Sequence, residues 1–464
     1  MELPTTPVDG DAIAELEASF RGPVHRPADD GYDEARTVYN AMIDRRPAVV
    51  ARPTGAADVM TAVDFARERE LLIAVKGGGH NVAGNAVCDD GLMIDLALMS
   101  SVRVDPAART VRVGPGARLG DLDHETAPFG LVVPAGVVSI TGVAGLALGG
   151  GFGYLCRKYG LTIDNLRSVD LVRADGELVR ATEDEHPDLF WGVRGGSGNF
   201  GIVTSFEFDL HELEEVLAGL VVYRAEEAHS VVRSWWENAS EAPDELSVWL
   251  NFSHAAPEPF IPEEHHGERV LSVVPIYAGD IEDGPDEIAP FRELGDPIAD
   301  TVEPRRFVDW QRAFDDSYPA GERYFWKSHN FRSPSPEALD RITEYAVAPP
   351  TPETRVSVTH LGGAVNRVPR DATAYPHRDA DFLVNITTRW ADPAMDEECI
   401  RWTREYFEAL APHATGGTYV NFTTEPEGEQ SMAYLENYDR LVALKNEWDP
   451  DNRFRLNQNV APTA

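Results

Sequence analysis

Apolar residues in the first two-fifths of the chain come in short runs broken by dense turn signals. Residues 49–52, 72–75, 92–95 and 110–113 read as strands, and 131–133, 168–173 and 177–181 continue the series. Between them a 3.6-residue spacing predicts helices over 56–70 and 119–127, with an amphipathic helix over 12–20 in the leading segment. Turn residues cluster at 89–91 (DDG), 105–108 (DPAA) and 134–136 (PAG), and Asp175-Gly176 between two strands predicts a hairpin. Residues 186–210 read as a short helix, a glycine turn and a strand of alternating β-branched and aromatic residues.

From about residue 213 the pattern lengthens. Strands are predicted at 219–224, 246–252, 269–277, 355–361 and 381–389, and helices at 225–238, 336–346 and 393–410. Long strands joined by helices predict a sheet with helices on one face. Tight signals return near the end, with TYVNF at 418–422, a helix over 432–447 and DPDNRFRLNQN at 449–459. The chain thus divides into residues 1–212, 213–412 and 413–464, and its class is α+β rather than a regular βαβ series.

Composition changes this picture in three ways. At 464 residues and 43% hydrophobic, the chain can bury more than one core. No apolar run approaches the ~18 residues of a membrane helix, and the first residues carry no export signal, so the cytoplasm is the expected compartment. Acidic residues outnumber basic ones 78 to 41, for a formal charge of −37, and only Lys76, Lys158, Lys327 and Lys445 are lysines. The acids are dispersed, which predicts a salt-adapted solubility device and argues against a nucleic-acid partner. Cys88, Cys156 and Cys399 are too few and too far apart for a disulfide framework or a zinc site, and no metal is expected.

The candidate chemistry lies in two glycine-dense stretches. KGGGHN (76–81) follows a strand and ends next to His80, and GVAGLALGGGFGYLC (142–156) ends at Cys156. Glycine serves where backbone must approach a flat or phosphorylated group or take positive φ. N–H groups of Gly77, Gly78, Gly79 and Asn81 can form an anion nest, Ser139 to Gly145 offers further donors, and Gly149 to Gly153 permits close backbone approach. Two such turns, each beside a nucleophilic side chain, point to a large cofactor held by backbone. GGGFG resembles a dinucleotide fingerprint, but no acidic ribose partner follows in a βαβ frame, so NAD is not expected.

VKGGGHNVAGNAV (75–87), VGPGARLGDL (113–122), VPAGVVSITGVAGLALGGGFGYLCRKYGLTIDNL (133–166), DLFWGVRGGSGNFGIVTSFEF (188–208) and the terminal YVNF and NYDRLVALKNEWDPDNRFRLNQN resemble the para-cresol methylhydroxylase/vanillyl alcohol oxidase superfamily. The nearest branch is the berberine-bridge-enzyme-like oxidases. The resemblance implies a two-subdomain FAD-binding fold over 1–212, an antiparallel substrate sheet covered by helices over 213–412, and a C-terminal segment returning to the FAD domain.

It also implies covalent FAD, through His80 to the 8α-methyl and Cys156 to C6. Gly77, Gly78, Gly79, Asn81, Ser139, Thr141, Gly142, Gly145, Gly149, Gly153, Gly201, Val203, Asn457 and Gln458 are implied cofactor contacts. A C-terminal tyrosine is the implied base, Tyr419 first and Tyr438 second; a free phenol titrates near pH 10, so it needs a charge-stabilising contact. Tyr375, His377, Arg378 and Asn421 are candidate substrate contacts. The implied reaction oxidises a CH–OH of a sugar lactol or secondary-metabolite alcohol, with O2 as acceptor giving H2O2. A dehydrogenase with another acceptor, or a non-catalytic FAD-binding protein, remains open, as does the oligomeric state.

Overall fold

The computed structural model describes residues 10–425 and 431–463. Three larger sheets organise these residues. The first has four strands in the order Val24–His25, Val49–Ala51, Leu92–Asp95, Ile73–Lys76, and its central pairs are parallel. Apart from the half-buried antiparallel edge strand Val24–His25, its strands are buried on both faces, as parallel pairing covered by the helix Ala56–Glu68 requires. The second sheet has five antiparallel strands, ordered Val102–Asp105, Thr110–Val113, Ile202–Asp209, Leu166–Val172, Leu178–Ala181. Alternation along Ile202–Asp209 puts Phe206 and Phe208 inside, against Val111, Val113 and Leu171. Leu441, Leu444 and Trp448 of the C-terminal helix Tyr438–Trp448 enter the same core, so the end of the chain packs back onto its beginning.

The third sheet has nine strands, all between residues 215 and 390 and all antiparallel. Its centre runs Arg269–Tyr277, Leu246–His254, Arg355–His360, Phe382–Trp390, Arg323–Phe331. One face carries Leu250, Phe252, Val273, Val356, Val384 and Ile386 against the helices Ala228–Ala239, Pro336–Ala346 and Asp396–Leu410. Ser335 caps the second of these helices, its Oγ accepting from the Ala338 N–H at 3.2 Å. The opposite face turns toward the glycine-rich segments and carries more polar side chains.

Sequence patterning finds the other four central strands and misses Arg323–Phe331. RYFWKSHNF has no alternation to read, because eight of its nine residues are buried, Lys327, His329 and Asn330 among them. The helix expected over 432–447 is interrupted by a 3-10 turn at Leu435–Asn437, where Leu435 takes φ 46°. Among the described residues no helix is long and apolar enough to cross a membrane.

Candidate functional site

The strand Ile73–Lys76 delivers the first glycine turn from a fixed base. Lys76 pairs in register with Asp95, its Nζ lies 3.4 Å from that carboxylate, and Arg52 reaches the same carboxylate at 3.0 Å. Beyond Lys76 the chain meets the second glycine stretch backbone to backbone. A Cβ on Gly78 would stand 2.5 Å from the Gly142 Cα, and a Cβ on Gly142 2.5 Å from the Gly78 nitrogen. No side chain fits at either position, so two motifs distant in sequence become one wall.

That wall bounds a cleft with two lobes, which share Val75, Gly77, Asn81, Ala86, Gly145 and Asn421. The inner lobe runs under the large sheet, past His80, Thr141, Tyr419 and, from the sheet itself, Trp249, Asn251, Ser357, Thr359 and Asn385. The outer lobe continues past Ser197, Gly201 and Val203 to Asn457 and Gln458 near the C-terminus. Gly145 stands where they join, and nothing lies within 4 Å of the place its Cβ would take.

An elongated cleft walled by backbone suits a dinucleotide, and the polar atoms left over fit one too. His80 Nε2 and Asn457 Oδ1 are buried without a partner, one in each lobe. Such atoms are costly unless a bound group satisfies them. The residues present therefore fit FAD.

His80 is held by aromatic rings. Tyr39 stacks on the imidazole at 3.9 Å between centroids and is itself stacked on Tyr324, while Trp326 meets His80 edge-on. Burial, helped by the charge on Arg118, pulls the imidazole down to a pKa of about 4. The ring is neutral at ordinary pH, with a lone pair to give.

Tyr419 faces the same lobe. Its hydroxyl oxygen accepts from the Gly151 N–H at 3.2 Å and from Asn421 Nδ2 at 3.0 Å. Burial pushes the phenol up to about 12, and these two donors pull against that rise. They are the charge-stabilising contacts that a phenol needs; no cation stands among its neighbours in the balance.

The other expected residues divide clearly. Gly77, Gly78, Gly79, Asn81, Thr141, Gly142, Gly145, Gly201, Val203, Asn457, Gln458 and Asn421 line the cleft. Ser139, Gly149 and Gly153 do not. A Cβ on Gly149 would collide with the Asn421 carboxamide, and one on Gly153 with the Ala135 carbonyl, so these glycines serve packing behind the wall. Cys156 is not brought to the wall either. It is buried among Phe152, Tyr154, Tyr375 and Tyr419, and burial raises its thiol to about 11.

Tyr438 packs on the core of the five-stranded sheet, away from both lobes. Tyr375 is buried behind Gly150 and Gly195. His377 bonds the Thr418 carbonyl at 3.1 Å, and so fixes the residue before Tyr419. Arg378 makes a two-pronged ion pair with Asp164 at 2.7 and 2.6 Å, fully inside the protein. Of the four candidate substrate contacts, only Asn421 reaches the cleft; the expectation for Tyr375, His377 and Arg378 is corrected to a structural role.

Sequence reasoning missed the sheet's share of the inner lobe. Asn251, Ser357 and Asn385 are register partners on adjacent strands and form one polar row. Such a row is found only once strand pairing is known. It also missed Val138, a β-branched residue at φ 72° on the lobe wall. Asp315 accepts from the Ser139 N–H at 2.7 Å and Gln311 donates to the Gly136 carbonyl, pinning that strained turn from the other side. Among the described residues no cluster of side chains could hold a metal ion.

The FAD binding domain family matches residues 47–182, and the family described as berberine and berberine-like matches residues 418–461. An FAD-linked oxidoreductase of Dictyostelium discoideum is 31% identical, covering 97% of both chains. The (R)-6-hydroxynicotine oxidase of Paenarthrobacter nicotinovorans is 32% identical, covering 96% of this chain and 97% of that one. The crystal structure of 6-hydroxy-D-nicotine oxidase from Arthrobacter nicotinovorans superimposes with a TM-score of 0.85 at 30% identity, over 99% of each chain. A two-lobed cleft of glycine turns, with matches to both family regions and to relatives along nearly the whole chain, places this protein among the berberine-bridge-enzyme-like FAD-linked oxidoreductases, which act on CH–OH or similar donors.

Proposed function

We propose that this enzyme oxidises the CH–OH group of a hydroxyl-bearing small molecule whose reacting ring is neutral, bound in the inner lobe, with FAD tethered through His80 alone. The observation that carries the reading is the inner lobe itself, where a neutral, partnerless His80 nitrogen and the Tyr419 hydroxyl share one cavity. FAD, when bound, supplies the hydride acceptor. His80 would be the residue that holds FAD, through its partnerless ring nitrogen; an N–C bond to the 8α-methyl would replace one methyl hydrogen and the ring N–H hydrogen, with the two electrons passing to the acceptor that serves turnover. Cys156 has neither wall position nor thiolate character to offer a second bond.

Tyr419 takes the proton of the substrate hydroxyl, and Asn421 Nδ2 with the Gly151 N–H stabilises the charge left on its oxygen. The lobe is lined by neutral side chains such as Asn251, Ser357, Thr359 and Asn385, which suits a neutral reacting ring with several hydroxyls. The name of one relative, a xylooligosaccharide oxidase at 28% identity, agrees with that substrate class.

Intact mass after denaturation tests the tether. Wild type and Cys156→Ser are expected to carry one FAD through denaturation, and His80→Ala to release it. Retention by His80→Ala together with release by Cys156→Ser would reverse the assignment. A panel of sugars and alcohols, followed by flavin bleaching and reoxidation in air or with a dye, tests the reaction and separates O2 from another acceptor.

A further inference from the structure

The structure contains many arginines, and the buried ones are almost all satisfied. Arg378 pairs with Asp164, Arg323 with Asp396 and Arg52 with Asp95, while Arg157 and Arg269 spend their guanidinium groups on backbone carbonyls. Arg355 is different. Its Nε is buried without a hydrogen bond, as those of Arg52 and Arg378 also are, but unlike theirs its whole guanidinium makes no hydrogen bond or ion pair among the described residues. Arg389, whose Nε is also buried and unpaired, donates from a terminal nitrogen to the Ser317 carbonyl at 3.0 Å and meets the phenol of its register partner Tyr324.

The two arginines are neighbours. Arg355 stands opposite Thr387 in the sheet, so Arg389 lies one step along the adjacent strand on the same face. The groups that act on the Arg355 charge are Arg389, Arg269, His254 and the phenols of Tyr318 and Tyr324; no carboxylate is among them. In a chain with 78 acidic residues, two adjacent partly buried cations without one acid are a conspicuous gap. A desolvated charge is stable only when paired.

Position says what the gap is for. Alternation along the strands puts Arg355 on the same face as Ser357, and Arg389 on the same face as Asn385, both of which line the inner lobe. Two residues of strand separate Arg355 from Ser357, roughly 7 Å. Tyr318 also lines the lobe, and it stands beside both arginines.

We propose that Arg355 and Arg389 form an oxyanion subsite at the edge of the inner lobe, built to receive a carboxylate, sulfate or phosphate group. Guanidinium forks bind such groups with two parallel hydrogen bonds, which supplies both the missing charge and the missing acceptors. The oxyanion is carried either on a substituent roughly 7 Å from the polar row or by a free inorganic ion. The subsite stands apart from the proposed tether and base, because its occupancy is read without turnover.

The test uses flavin-loaded protein at constant ionic strength, with chloride exchanged stepwise for sulfate. Wild type is expected to show saturable sulfate binding by calorimetry and a rise in thermal midpoint. Arg355→Met and Arg389→Met should bind sulfate about tenfold more weakly or not at all, since a charged hydrogen bond contributes about 1.5–3 kcal/mol. Without sulfate, Arg355→Met should melt no lower than wild type, because it has shed an unpaired charge. Displacement of sulfate by glucuronate but not by glucose assigns the subsite to an acidic substituent; failure of glucuronate to displace a sulfate that does bind assigns it to a free oxyanion. Absence of saturable sulfate binding in wild type, unchanged binding in Arg355→Met, or an Arg355→Met protein that melts well below wild type in chloride would overturn the proposal.

Discussion

Tyr419 carries two opposed influences on one oxygen. Burial raises the phenol to about 12, while Asn421 and Gly151 donate to it. A base with that pKa is almost wholly protonated at neutral pH, and its active fraction grows tenfold per pH unit. In the proposed reaction kcat/KM should therefore climb with pH at a slope near one decade per unit, without a plateau at neutral pH. Tyr419→Phe should lose about 10²–10⁴-fold. Asn421→Ala removes one of the two donors, lifts the phenol further, and should lower the rate at every pH while leaving the slope unchanged. Steady-state kinetics across the alkaline range checks all three, and a flat profile in wild type would remove Tyr419 from the role of base.

The contact between the two glycine turns makes a different demand, because it concerns backbone and not side-chain chemistry. Gly142→Ala places a methyl group 2.5 Å from the Gly78 nitrogen, a distance that forces the turns apart. Since the turns are the wall of both lobes, Gly142→Ala is expected to lose FAD loading, measured as the ratio of flavin to protein absorbance. Gly145→Ala, with open space on that side, should fold normally and lose loading only through its intrusion into the cleft.

These turns were the most legible part of the sequence, because glycine density marks close approach directly. The returning C-terminal segment was legible for the same reason of dense local pattern. The large sheet's side of the inner lobe was not. Asn251, Ser357 and Asn385 look like unremarkable strand residues until register aligns them, and the strand Arg323–Phe331 hides its period because both faces are covered. Arg378 read as a substrate contact since its partner, Asp164, is 214 residues away in the chain. Cys156 read as a tether because it ends the glycine stretch, whereas the short helix Cys156–Tyr159 begins under the wall and turns the thiol into the packing.

At the scale of the whole molecule, buried histidines and a buried carboxyl set how stability responds to pH. His377, which ties the tail to the cleft, and His329, stacked on Phe407 within the sheet's helical cover, are both buried and pulled down to about 4. An unfolded histidine titrates near 6.5, so between about 6.5 and 4 the unfolded chain binds protons the fold refuses. Their contribution is fully present above 6.5 and is lost as pH falls through 4, at up to about 1.4 kcal/mol per pH unit for each. Asp123 works in the opposite sense. It is buried behind the pinned 136–139 turn near Arg312 and Asp315, its Oδ2 has no partner, and burial raises it to about 7. Its folded form keeps a proton that the unfolded chain releases above about 3.9, so its contribution is present below that value and is lost as pH rises through 7. His80 and His360 are buried and pulled down as well, and these four histidines against the two raised carboxyls Asp123 and Asp381 leave a net gain in stability from pH 4 to 6.5. Asp123→Asn removes one opposing contribution and should steepen that gain, with its largest advantage over wild type above pH 7. Thermal midpoints of both proteins across this range check the sign, and an advantage that shrinks with rising pH would mean that Asp123 is ionised and paired in the fold.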